Sequence, residues 1–168
     1  SPSTTQAQPP LTPSPLSSST TPTLDMSTFP SPPGYILQSI IGQGSFAKVY
    51  LATSIAPPHA LFSVKAILKA TSPPLQIASE IAALQRATHA SIESLYEVVE
   101  DEEHVYLITQ YAEGGELFDR IVDKGVYTED EARDVVRQLL EATQHLHDQE
   151  IMHRDLKPEN ILLSRTNS

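Results

Sequence analysis

From residue 35 onward, apolar and polar positions fall into runs with a readable period. Tyr35 to Ile41 is rich in β-branched and aromatic residues and predicts a strand, Gly42 to Ala47 a turn, and Lys48 to Thr53 a second strand. Pro57-Pro58 marks a loop, after which Ala60 to Leu68 predicts a third strand. Ser72 suits an N-cap with Pro73 as the first helical residue. Ile77, Ile81 and Leu84 then recur at i, i+4 and i+7, one face of a helix reaching Ala87. Two further strands, Ile92 to Val99 and His104 to Thr109, flank Glu100-Asp101-Glu102-Glu103, a charge run expected to be a solvated hairpin tip and not a metal site. A short helix from Leu117 to Lys124 should stop at Gly125. Thr128 and Glu131 have the spacing of a capping box. They open a longer helix whose Ala132, Val135, Val136, Leu139, Leu140, Thr143 and Leu146 form an apolar stripe that needs a partner. His145 and His147 are two apart, point to different sides of that helix and make a poor metal pair. Ile161-Leu162-Leu163 reads as a short closing strand.

Residues 1–33 differ. Ser, Thr and Pro dominate, and Leu11, Leu16, Leu24, Met26 and Phe29 show no period. Such a stretch cannot offset roughly 1–2 kcal/mol of backbone entropy per residue, so disorder is expected, with the folded part beginning at residue 34. Thr12-Pro13, Ser14-Pro15, Thr21-Pro22 and Ser31-Pro32 have the form of proline-directed phosphorylation sites; an inert linker is the simpler reading.

Charge narrows the classes of partner. With 11 basic against 21 acidic residues the formal charge is −10, which argues against a nucleic-acid phosphate backbone as ligand and suits basic peptides, or solubility alone. There is no cysteine for disulfides or thiolate metal ligation. No apolar run approaches a membrane span and no charged-then-apolar leader opens the sequence, so the expected setting is cytoplasmic or nuclear, without membrane attachment.

Two stretches carry chemistry. Gly42-Gln43-Gly44-Ser45-Phe46-Ala47, between strands, is a hairpin that could fold over phosphates, because backbone N–H groups approach oxygens closely where no Cβ intervenes. It does not open a helix, as a dinucleotide fingerprint would, and it lacks the Gly before and the Ser or Thr after Lys48 that a Walker A loop requires. The second is His153-Arg154-Asp155-Leu156-Lys157-Pro158-Glu159-Asn160. A carboxylate to take a hydroxyl proton, an ammonium to neutralise a moving phosphoryl group and an amide oxygen suited to a hard cation are what phosphoryl transfer needs.

The second stretch resembles the H-R-D-L-x-x-x-N catalytic loop of eukaryotic protein kinases, and its Lys-Pro-Glu filling resembles the serine/threonine branch. The glycine hairpin is similar to that family's G-x-G-x-x-G-x-V loop, with Ala47 in place of the third glycine. Lys65, flanked by Val64, Ala66 and Ile67, matches the lysine of V-A-I-K, with Phe62 and Ser63 replacing Val and Ala. Taken alone it would be a snorkelling surface lysine. The resemblance covers Tyr35 to Leu163. Gly114-Gly115-Glu116-Leu117-Phe118-Asp119 resembles the calcium/calmodulin-dependent group, with no calmodulin-binding segment in sight.

The resemblance implies an α+β, protein kinase-like fold. Its amino-terminal lobe would be complete over 34–109, an antiparallel five-stranded sheet plus one helix (helix C). A hinge over 110–116 and the first part of a helical carboxy-terminal lobe over 117–168 would follow. It implies ATP and Mg²⁺ as cofactors and protein or peptide substrates, basic ones fitting the charge. Asp155 would take the hydroxyl proton, Lys157 steady the γ-phosphate and Asn160 hold Mg²⁺. Lys65, paired with Glu80, would grip the α- and β-phosphates. Ile41, Gly42, Gly44, Ser45, Val49, Gln110, Ala112, Glu116 and Leu162 complete the implied nucleotide site, with Thr109 at its back. Glu116 would meet ribose or a basic substrate residue, and Glu159 either receives a basic side chain or orders the loop. His153 and Arg154 are implied to be structural. The family's Asp-Phe-Gly does not follow Asn160 in this sequence. The expectation is therefore a kinase fragment of negligible turnover with its long apolar stripe left exposed. A non-catalytic, pseudokinase-like module that binds nucleotide or a partner is the alternative.

Overall fold

The computed structural model describes residues 31–44 and 47–164. The disorder expected for the amino-terminal stretch, its proline-directed sites up to Thr21-Pro22, and Ser45 lie outside the described residues. The element order is β1 (Tyr35–Gln43), β2 (Ala47–Ser54), β3 (Leu61–Leu68), α1 (Pro74–Arg86), β4 (Leu95–Glu100), β5 (His104–Gln110), α2 (Leu117–Lys124) and α3 (Glu129–Asp148), followed by a 3₁₀ turn at Pro158–Asn160.

The five strands form one antiparallel sheet in the order β1-β2-β3-β5-β4. Period-two alternation sorts its side chains onto two faces. Leu37, Tyr50, Val64, Tyr106 and Ile108 build one core face. Ile67, Val105 and Leu107 build the other, covered by Ile77, Ile81 and Leu84 of α1. Burying each such side chain contributes roughly 1.5–3 kcal/mol relative to exposure. The sheet curls until its two edges meet: Tyr35 on β1 donates its hydroxyl to Glu97 Oε2 on β4 at 2.9 Å. Phe62 bridges the same gap, edge-on to Tyr35 at 5.5 Å and tilted against Tyr96 at 5.0 Å.

The turn chemistry holds at most ends. Thr128 and Glu131 form the capping box of α3, and Gly125, at φ 76°, ends α2. The acidic run joins β4 to β5, and Asp101 orders the turn. Asp101 Oδ1 accepts from the N–H of Glu103 (2.8 Å) and of His104 (2.6 Å), and Oδ2 from the Tyr106 hydroxyl (2.7 Å). That hydroxyl is the main cause holding the Asp101 carboxyl below its ordinary range.

Four expectations need correction. Helix α1 starts one residue late: Pro73 is the cap, Pro74 the first helical residue, and Ser72 makes no capping bond. Two successive prolines remove the N–H groups nearest a Ser72 cap, so its hydroxyl lies buried without a partner among the described residues. Strand β4 begins at Leu95, because Ile92 closes a turn onto His89 O (3.1 Å) instead of pairing. Leu162 makes a single bridge to Glu116 and no strand. Finally, the α3 stripe is not uniformly exposed: Leu146 is buried, with Ala142 beside it, while Val136 and Leu140 stay exposed. The buried end lies where His145 is tilted against His89, from the loop after α1, with ring centroids 5.2 Å apart.

Candidate functional site

Gly44 N–H closes the β1–β2 turn onto Ala47 O at 2.8 Å. Gly42 sits opposite Val49 in the ladder. Across the hairpin, alternation along β3 turns Ser63, Lys65 and Ile67 toward α1. Ile77, Ile81 and Leu84 anchor α1 there, which leaves Glu80 facing the strand, and Lys65 Nζ meets Glu80 Oε1 at 2.5 Å. Both side chains remain about one-third exposed, so the pair contributes at most ~1 kcal/mol to stability. Its significance is positional: it holds an ammonium in a hollow of about 220 Å³ lined also by Gly44, Ala47, Ile67, Ser72, Gln76, Ile77 and Glu80.

Further along the same face, Thr109 on β5 stands in register with Ser63 on β3. Thr109 is buried, and its hydroxyl donates to Glu93 Oε1 at 2.6 Å, with Ser63 O farther away at 3.4 Å. Glu93 is exposed as a residue, but its carboxylate end turns inward to Thr109. Burial of that end raises its affinity for a proton, while the Thr109 hydrogen bond and the nearby Lys65 charge act against the rise.

The second cluster lies on the exposed loop after α3. Arg154 adopts φ 68°, a left-handed conformation that costs a non-glycine residue about 1 kcal/mol or more and reverses the chain between His153 and Asp155. The Asp155 N–H then donates to His153 Nδ1 at 3.3 Å. Asn160 Nδ2 donates to both Asp155 O (2.8 Å) and Oδ2 (2.7 Å), and Lys157 Nζ lies 3.1 Å from the same carboxylate oxygen. Lys157 first, then Asn160, holds the Asp155 carboxyl below its ordinary range. These bonds use the amide nitrogen of Asn160, and its amide oxygen is a hard donor of the kind Mg²⁺ takes. No cluster of three or more metal-ligating side chains occurs among the described residues.

A clasp joins this loop to the segment after β5. Gly114 N–H donates to Leu163 O, Leu163 N–H to Gly115 O, and Leu117 N–H to Ile161 O, each at 2.8 Å. A Cβ at Gly114 would lie 2.5 Å from the carbonyl oxygens of Leu163 and Ser164, so only glycine fits.

The residues expected at the site thus form three groups. Gly44, Lys65 and Glu80 line the hollow, and Gly42 pairs with half-buried Val49 in the adjoining ladder. Asp155, Lys157 and Asn160 form their own cluster and do not line that hollow. Glu116 and Leu162 meet in the clasp, and Ala112 lies in the segment between β5 and α2. Ile41 is exposed. The Gln110 N–H is taken by Ser94 O at 3.2 Å and is not open to a ligand. Two contributors escaped sequence reasoning. Glu93 sat in a stretch read as strand, and Gly114, placed in the hinge, gave no sign of its close approach to Leu163 and Ser164.

Comparison with known proteins places the chain in one family. Residues 35–168 match the model described as the protein kinase domain. The chain is 48% identical over 132 residues to calcium/calmodulin-dependent protein kinase type 1 of Macrobrachium nipponense, covering 76% of this chain and 38% of that protein. It is 43% identical over 132 residues to the protein of the same name from Caenorhabditis briggsae, with 76% and 36% covered. The chain therefore spans little more than a third of these relatives. A solved structure of Rad53, residues 1–466, in complex with AMP-PNP superposes with a TM-score of 0.71 at 34% identity, over 79% of this chain and 35% of that one.

Proposed function

This chain belongs to the protein kinase family, with a five-stranded amino-terminal lobe and part of the helical second lobe, and from that premise we propose that it is the ATP-binding and catalytic-loop portion of a serine/threonine kinase. The observation that carries this reading is the Lys65–Glu80 pair set beneath the glycine hairpin. We take 34–109 as the first lobe, 110–116 as hinge and 117–168 as the start of the second.

In this reading, backbone N–H groups of the glycine hairpin and the Lys65 ammonium hold the phosphates, and Glu80 keeps Lys65 from swinging away. Asp155, ionised and oriented by Asn160 and Lys157, accepts the proton of a protein Ser or Thr hydroxyl. Lys157 then turns its charge to the phosphoryl group in transit. Asn160 Oδ1 would hold Mg²⁺, which supplies charge neutralisation between phosphate oxygens. The acidic balance of the chain favours basic peptides as substrates. Without the family's Asp-Phe-Gly carboxylate, these 168 residues taken alone should turn over negligibly. A binding role without turnover is the second reading, favoured by exposed Val136 and Leu140 on α3.

The test uses the full-length protein. Asp155→Asn should abolish peptide phosphorylation and leave Mg-ATP binding in place. Turnover within a few-fold of wild type would overturn the assignment of Asp155.

A further inference from the structure

Glu93 has no part in the roles assigned above, yet it takes the proton of the buried Thr109 hydroxyl at the hinge end of the α1 face. Thr109 Oγ1 lies 2.6 Å from Glu93 Oε1 and 3.4 Å from Ser63 O. A hydroxyl has one proton and two lone pairs. The short contact is to a carboxylate, the stronger kind of acceptor, and the contact to Ser63 is too long to compete. The proton therefore points at Glu93, and Thr109 Oγ1 has only lone-pair density to offer a ligand. Thr109 is in register with Ser63, two residues along β3 from Lys65, so a nucleotide whose phosphates reach Lys65 can bring its base to this end of the face.

We propose that Glu93 is a specificity-determining residue of the nucleotide site, fixing Thr109 as an acceptor so that a base presenting an amino group, as adenine does, is favoured over one presenting a carbonyl oxygen, as guanine does. This rests on the nucleotide-site reading above. With its proton held by Glu93, Thr109 cannot donate to the guanine oxygen but can accept from the adenine amino group. Glutamine at 93 keeps a carbonyl acceptor in the same place, whereas methionine or valine frees the Thr109 proton to turn toward the ligand.

The experiment is calorimetric titration of the full chain with Mg-ATP and with Mg-GTP. The wild type should prefer ATP. Glu93→Met, close to glutamate in volume, and Glu93→Val should each lower the ATP-to-GTP affinity ratio about fivefold, the worth of one hydrogen bond. Glu93→Gln and Thr109→Ser should hold the ratio. Thr109→Val should lower it to the same extent, and Glu93→Met with Thr109→Val should lower it no further, because both act through one proton. An unchanged ratio in Glu93→Met and Glu93→Val, with wild-type ATP binding that Lys65→Ala abolishes, overturns this inference and leaves the nucleotide site standing. Absence of Mg-ATP binding by the wild type overturns both.

Discussion

Replacing Gly114 by alanine tests how the catalytic loop is held to the rest of the fold. The added Cβ meets two backbone oxygens at 2.5 Å and the Leu163 Cβ at 2.8 Å, none of which can rotate away as a flexible side-chain end would. The two segments must separate, and the three 2.8 Å bonds linking Gly114, Gly115 and Leu117 with Ile161 and Leu163 are at risk together. At about 0.5–1.5 kcal/mol net per bond, the loss is roughly 1.5–4.5 kcal/mol. Gly115→Ala is the control. Its Cβ meets nothing within 4 Å, and φ 73° costs alanine about 1–2 kcal/mol while no new contact is pushed against Ile161 or Leu163. Amide hydrogen exchange separates the two: Gly114→Ala should abolish protection of the Leu163 and Leu117 N–H groups while those of β3 and β5 stay protected. Gly115→Ala should keep all of them. Persistent protection at Leu163 in Gly114→Ala would refute the clasp.

Other perturbations probe separate parts. Ile108→Ala, at a position 0% exposed between β3 and β4, should cost about 2–5 kcal/mol by chemical denaturation; a loss below 1 kcal/mol would mean the sheet core is not packed as described. Thr128→Ala should remove about 1 kcal/mol through the lost α3 cap, read by thermal unfolding, with Thr128→Ser restoring it. The cap's partner Glu131, held at about 2 chiefly by Lys124, has a lowered value, so its contribution is present above the ordinary carboxylate range and fades only as pH falls toward 2. Lys124→Met should move that titration upward by NMR. Asp155 should likewise titrate below the ordinary aspartate value and rise in Lys157→Met; a titration at the ordinary value in the parent chain would contradict the contact.

Features governed by neighbouring residues were legible in the sequence. The hairpin, the α1 stripe, the Gly125 stop and the Thr128–Glu131 box depend on chemistry within a turn or two. Where a second constraint intervened, reading failed. Ser72 looked like a cap until two prolines withheld its donors, and Ile92 looked like a strand until its N–H turned back to His89. Site residues were less legible. Lys65 and Glu80 lie 15 residues apart, and nothing local distinguishes either from an exposed charge; their shared family pattern paired them, and the 2.5 Å contact agrees. Glu93 had no pattern to declare it. Only the sheet order, which sets β5 between β3 and β4, brings its loop to Thr109.

The claim on which the rest depends is that the hollow beneath the glycine hairpin binds the phosphates of ATP through Lys65. Thermal unfolding of the chain with and without Mg-ATP tests it most directly. Binding at one hundred times the dissociation constant stabilises by about 2.7 kcal/mol, so the wild-type midpoint should rise by several degrees and that of Lys65→Ala should stay still. No rise in the wild type at millimolar Mg-ATP, or an equal rise in Lys65→Ala, would contradict the account.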